Sequence, residues 1–131
     1  MFAQLKPVPG SAGGGTRFNT VLVVDDEVAT CETLRDVFEE EGFTVHTAGN
    51  GRDALLLLRE LAVKPCIVIL DLIMPILDGN AVYQAMKADA SLAAIPILVV
   101  TSDPSRAPVG AVVLRKPVAL GTLLAAVNRC C

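Results

Sequence analysis

Two hydrophobic periods alternate along this chain and leave it few possible folds. Continuous apolar runs at residues 21–24, 66–70, 96–100 and 111–114 read as strands, and residues 43–47 as a short second one. Between them lie segments in which apolar residues recur every three or four positions. Cys31, Leu34 and Phe38 mark a first helix that stops at Gly42. Ala54, Leu57, Leu58 and Leu61 mark a second, opened by Asn50-Gly51 and ended before Pro65. Residues 81–87 form a weaker third, and Leu120, Leu123, Leu124 and Val127 mark a last one after Pro117. Strands alternating with helical segments imply βαβ units and a parallel sheet, and the unbroken apolarity of 66–70 implies a central strand covered on both faces. The expected fold is an open, doubly wound α/β domain with five strands.

A chain of 131 residues holds one such domain and leaves little room for another. Pro7, Pro9, Gly10 and the Gly13-Gly14-Gly15 run make residues 1–18 a flexible tail and 19–131 the domain. A net charge of −3 without a Lys/Arg cluster argues against nucleic acid as a partner. The longest uncharged run in the core, residues 90–102, is too short to span a bilayer and contains Pro96. The N-terminus lacks the layout of a secretory signal, so no membrane and a cytoplasmic location are expected. Cys31, Cys66, Cys130 and Cys131 lack metal-ligand spacing, and the single His46 is not near them in sequence, so reduced thiols and no zinc are expected. The Cys130-Cys131 pair is read as a solvent-facing tail rather than a lipidation site or an intermolecular bridge.

In an open α/β sheet, ligands bind beyond the carboxyl ends of the strands. Asp25 and Asp26 follow the first strand, Asp71 the third, Thr101 the fourth and Lys116 the fifth. Any one of these is ordinary turn or cap chemistry; together they place three acids, a hydroxyl and a cation on one edge. Clustered carboxylates repel one another, and a divalent cation such as Mg²⁺ resolves the cost. Lys116 suits a carboxylate or phosphoryl oxygen, and Thr101 supplies a hydroxyl donor. Nucleophile, metal, cation and hydroxyl make up a phosphoryl-transfer site.

The segments around Asp25-Asp26-Glu27, Leu70-Asp71-Leu72-Ile73-Met74-Pro75 with Asp78-Gly79, Val100-Thr101-Ser102 and Leu114-Arg115-Lys116-Pro117 resemble the receiver domains of bacterial response regulators over roughly residues 20–129. The resemblance implies a flavodoxin-like sheet of order 2-1-3-4-5 and a phosphorylation-controlled module of two-component signalling. Asp71 would accept the phosphoryl group from a sensor histidine kinase or phosphotransfer protein. Mg²⁺ would be held by Asp26 and Asp71, by the backbone carbonyl of Ile73, and by Asp25 through a water. Lys116 would pair with Asp71 and then with the phosphoryl group, toward which Thr101 would move, and Pro117 would follow a cis peptide bond. Ile73 and Asp103 hold the positions that tune phosphoryl lifetime in the family. Beyond self-catalysed phosphorylation and dephosphorylation, no enzymatic activity is implied.

Two departures concern output rather than chemistry. Residues 102–110 join the fourth strand to the fifth and include Pro104 and Pro108, too short and too proline-rich for a full crossover helix, so the fourth helix is expected to be shortened or missing. Val113 stands where the family usually has a switching aromatic. A lost helix would uncover strand residues such as Ile97, Val99 or Val112, and the altered face would then pair with a second copy or a partner, unless the loop covers it. The alternative function is a receiver-fold scaffold that binds partners constitutively. A dehalogenase-like phosphatase is disfavoured because its nucleophile follows the first strand, and a flavin site because aromatics and a Ser/Thr-rich loop are lacking. His46 is read as structural, Tyr83, Met74 and Met86 as packing or surface contacts, and Leu55 and Leu56 as widening the second helix's apolar face.

Overall fold

A computed structural model describes residues 19–131, so the expected tail at 1–18 lies outside the described residues. Five strands, β1 (Thr20–Val24), β2 (Thr44–Ala48), β3 (Ile67–Leu70), β4 (Ile97–Thr101) and β5 (Val112–Arg115), form one parallel sheet of order β2-β1-β3-β4-β5. The helices are α1 (Val28–Glu40), α2 (Gly51–Glu60), α3 (Gly79–Ala88) and α4 (Leu120–Cys130). Strand ends differ from the apolar runs by about one residue, because the ladder of paired backbone groups sets them: Ala48 closes β2 opposite Val24, and Arg115 closes β5 opposite Thr101.

Successive residues of β1 face opposite sides. Val21 and Val23 join Cys31, Leu34, Phe38, Leu123 and Val127 beneath α1 and α4. Leu22 and Val24 join Ala54, Leu58, Val82 and Met86 beneath α2 and α3. All five β1 residues and all four of β3 are buried, the reason those runs carry no polar alternation.

Helix ends follow local chemistry. Gly42, at φ +96°, lets Phe43 N–H reach the Phe38 carbonyl while the two rings meet edge to face at 6.2 Å, a Schellman stop for α1. Asn50 and Asp78 cap α2 and α3 by accepting from Asp53 N–H and Ala81 N–H, each at 2.9 Å.

Between β4 and β5 stands a single 3₁₀ turn, Pro104–Arg106, the shortened crossover expected from its prolines. It leaves less surface bare than anticipated. Ile97 and Val99 are buried, with Ala107, Ala111 and Val113 packed against their cluster, whereas Val112 is 65% exposed. Met74, Met86 and Leu55 are core residues, Leu56 is exposed, and Tyr83 is partly buried with Lys87 Nζ 5.5 Å from its ring centre. His46 lies on β2 opposite Leu22.

The cysteines correct one expectation. Cys66 and Cys131 are joined in a disulfide across 65 residues, their Cα atoms 5.4 Å apart, while Cys31 and Cys130 are free. Cys131, though exposed, is therefore not a free tail: α4 lies back across the sheet and brings its end to the start of β3. Among the described residues no helix is long and apolar enough to cross a membrane.

Candidate functional site

Backbone pairing aligns the strand ends. Asp25 N–H donates to Ala48 C=O at 3.0 Å, Asp71 N–H to Val24 C=O at 2.9 Å, and Lys116 N–H to Thr101 C=O at 2.8 Å. Because Val24 is opposite Leu70, Asp25 and Asp71 leave adjacent strands at the same level. Single oxygens of Asp25, Asp26 and Asp71 lie within 4.8 Å of one another, two of these acids buried and Asp26 exposed. Lys116 Nζ bridges the buried pair, 3.2 Å from Asp25 Oδ2 and 3.5 Å from Asp71 Oδ1. Sequence and structure thus agree on Asp25, Asp26, Asp71 and Lys116 as one cluster.

Each buried carboxylate is fixed by a nearby amide. Glu27 N–H donates to Asp25 Oδ1 and Leu72 N–H to Asp71 Oδ1, both at 2.9 Å. Asp71 Oδ2 accepts no hydrogen bond among the described residues. Burial, reinforced by the Asp25 charge, raises the Asp71 pKa above the usual carboxylate range against the pull of Lys116 and the Leu72 amide. Burial would lower Lys116, but the Asp25 and Asp71 carboxylates outweigh it and hold the ammonium above its ordinary value. Three carboxylates with one lysine leave an excess of oxygen donors and negative charge, a donor set that fits a hard divalent cation such as Mg²⁺.

Thr101 is 1% exposed at the end of β4, where its Oγ1 accepts from Asp103 N–H at 3.1 Å. It is level with Leu72, one residue beyond Asp71, by the register of β3 and β4. Ile73 lies in the loop after Asp71 with its side chain 55% exposed, and the Lys116–Pro117 bond is cis.

Three contributors have a role that the sequence reading did not assign. Glu27 positions Asp25 through its amide, a role any side chain permits and no motif signals. Cys31 Sγ donates to the Asp25 carbonyl at 3.3 Å, and burial, with the Asp25 charge, raises its thiol pKa. Gly79 was legible as part of Asp78-Gly79, but its reason was not: a Cβ there would collide with the Asp71 carbonyl oxygen and lie 2.7 Å from Leu72 Cα. The start of α3 therefore rests directly on the backbone that carries Asp71. Beside the acids, a cavity of about 600 Å³ opens between the first turns of α1 and α4, lined by Thr30, Thr33, Leu34, Lys116, Leu120 and Leu123 among others.

The family model of the response regulator receiver domain matches residues 21–128. DNA-binding response regulator MtrA of Mycobacterium tuberculosis is 38% identical over 82 residues, which are 63% of this chain and 34% of that protein. Protein PilH of Pseudomonas aeruginosa is 35% identical over 82 residues, 63% of this chain and 66% of that one. The match thus spans about a third of the MtrA sequence and less than two thirds of PilH. Among solved structures, chemotaxis protein CheY4 of Vibrio cholerae superposes with a TM-score of 0.76 at 27% identity, covering 88% of this chain and all of that one. Response regulator TrrA of Thermotoga maritima, in complex with Mg²⁺ and BeF, gives 0.75 at 27% identity over 86% of this chain and 99% of that one.

Proposed function

The chain belongs to the response regulator receiver domain family, and from that premise we propose that Asp71 accepts a phosphoryl group from a phosphohistidine on a sensor histidine kinase or phosphotransfer protein. The modified domain then signals by binding another protein. The observation that carries this reading is the juxtaposition of three acids within 4.8 Å, with Lys116 bridging the two buried ones.

Leu72 N–H and Lys116 hold Asp71 Oδ1, which leaves Oδ2 to form the new P–O bond as the P–N bond to histidine breaks. Asp26, Asp71 and the backbone carbonyl of Ile73 would hold Mg²⁺ directly. Asp25, whose two oxygens are already engaged by Glu27 N–H and Lys116, would act through a water. When bound, Mg²⁺ supplies charge neutralisation for the phosphoryl oxygens. Lys116 sits where it can transfer its interaction from Asp71 to the phosphoryl group, and Thr101 supplies a hydroxyl once it leaves Asp103 N–H. The domain acts on no separate substrate; its chemistry is its own phosphorylation and dephosphorylation. Its place is the cytoplasm, where such kinases present their phosphohistidine.

The second reading, a scaffold that binds constitutively, draws on Val113 and on the single turn at Pro104–Arg106, which alter the usual output face. A second copy paired through that face would rest on exposed Val109 and Val112 and on the edge strand β5. Incubation with acetyl phosphate and Mg²⁺, followed by intact-mass analysis, separates the two functions. One Mg²⁺-dependent phosphoryl adduct, absent from Asp71→Asn, is expected. An unmodified protein that also fails to bind Mg²⁺ would establish the scaffold.

A further inference from the structure

We propose that Cys66 and Cys131 form a reversible thiol-oxidation site that fastens the far end of α4 to the sheet. Their Cα atoms are 5.4 Å apart, within the span a disulfide bridges. Neither residue is sealed from solvent: Cys131 is exposed and Cys66 half-buried, so small thiols and disulfides reach the pair. Cys66 Sγ lies 3.2 Å from the Thr20 carbonyl oxygen, which would accept the thiol proton once the bond opens. Cys31 is buried beside Asp25, and Cys130, though exposed, is without a partner sulfur.

The bond matters because of how α4 is held. This helix buries Leu123, Ala126 and Val127, while Leu120, Gly121 and Thr122 in its first turn are exposed. The cavity of about 600 Å³ separates that turn from Thr30, Thr33 and Leu34 of α1. Beyond that opening Leu123, Ala126 and Val127 pack the helix on the sheet, and at its far end the Cys66–Cys131 bond joins it to the residue before β3. The bond also closes a 65-residue separation that takes in β3, α3, β4, β5 and α4, which restrains the unfolded chain.

The oxidant is a low-molecular-weight disulfide of the glutathione type. The exposed Cys131 thiolate attacks one of its sulfurs and releases one thiol. The Cys66 thiolate then attacks the Cys131 sulfur of the mixed disulfide and releases the second. The two protons given up by the cysteines pass to the leaving thiolates, so two protein thiols are oxidised as one small disulfide is reduced. In a reducing compartment such a bond forms transiently, as a response to oxidation.

The test uses the full chain equilibrated with glutathione disulfide or with dithiothreitol, alkylated and mapped without reduction. The oxidised form is expected to yield a linked Cys66–Cys131 peptide with Cys31 and Cys130 alkylatable. Its melting temperature is expected to exceed that of the reduced form by about 5–15 °C. Reduction is expected to speed amide exchange in α4 at least tenfold while β1 and β3 change little. Cys130→Ser should keep the redox shift and Cys131→Ser should lose it. If Cys131→Ser does not fold, the wild-type comparison decides alone. Alkylation of Cys66 after oxidation, a stable glutathione adduct, a bridge between two copies, or α4 exchange indifferent to redox state would each overturn the proposal.

Discussion

At Asp71, burial and the Asp25 charge oppose ionisation, so the charged carboxylate weakens the fold that needs it for chemistry. Because the folded-state pKa is raised, the stability linked to this group is fully present below the ordinary carboxylate range. It is lost as pH rises through the raised value. Asp71→Asn is therefore expected to stabilise the cation-free protein at neutral pH, by about 1 kcal/mol, while abolishing the phosphoryl adduct. The gain should shrink on acidification, as wild-type Asp71 takes up its proton. Urea titrations in EDTA at pH 7 and pH 5 measure this, and a variant no more stable than wild type at pH 7 would contradict it. Lys116→Met has the opposite sign. It leaves Asp25 and Asp71 facing each other without their shared cation, and a loss of about 1–2 kcal/mol in the same titration is expected, together with slower adduct formation. That cost should fall when Mg²⁺ is added.

The elements that hold these residues differ in how closely they fit. Helix α3 begins on the Asp71–Leu72 backbone, with Gly79 N–H donating to Leu72 C=O at 2.8 Å. Alanine normally favours a helix by up to about 1 kcal/mol over glycine. At Gly79 the sign reverses, because a Cβ meets backbone that cannot yield without moving Asp71. Gly79→Ala is expected to destabilise by about 2–4 kcal/mol, the scale of steric overpacking at its upper end, and to slow adduct formation. Thermal melts together with the acetyl-phosphate assay check both; an unchanged melting temperature would show that α3 can slide. The crossover between β4 and β5 is held differently: Asp103 Oδ1 accepts from Ser105 N–H at 3.2 Å, and Asn80 Nδ2 donates to Arg106 C=O at 3.0 Å, tying the short turn to α3. This is why a loop with two prolines still covers Val99 and Ile97.

For the whole molecule, the acid cluster couples ligand binding to folding. A cation that binds the folded cluster but not the unfolded chain adds stability that grows with its concentration, about 2.7 kcal/mol at 100 times its dissociation constant. Mg²⁺ is expected to raise the melting temperature in that logarithmic fashion, and the Asp25→Asn/Asp26→Asn double variant is expected to lose the dependence. Differential scanning fluorimetry across a Mg²⁺ series tests it, and a response retained by the double variant would place the cation elsewhere. Association is a separate matter. Exposed apolar surface on the altered face comes down to Val109 and Val112, so sedimentation at high concentration with and without BeF decides whether copies pair there.

The alternation of strands and helices, the helix stop at Gly42 and the edge on which Asp25, Asp26, Asp71 and Lys116 gather are all legible along the chain. Those depend on local periods, on backbone needs at single residues, and on the rule that strand ends share one side of a parallel sheet. The shortened crossover was legible for the same reason: two prolines within nine residues limit a helix wherever they lie. Packing in three dimensions settled which strand residues that crossover leaves bare, because covering Ile97 and Val99 depends on Ala107, Ala111 and Val113 arriving from other positions. It also decided that Gly79 is pressed against Asp71, and that Cys66 meets Cys131. Contacts of this kind join residues far apart along the chain, and no local period records how far α4 lies back across the sheet.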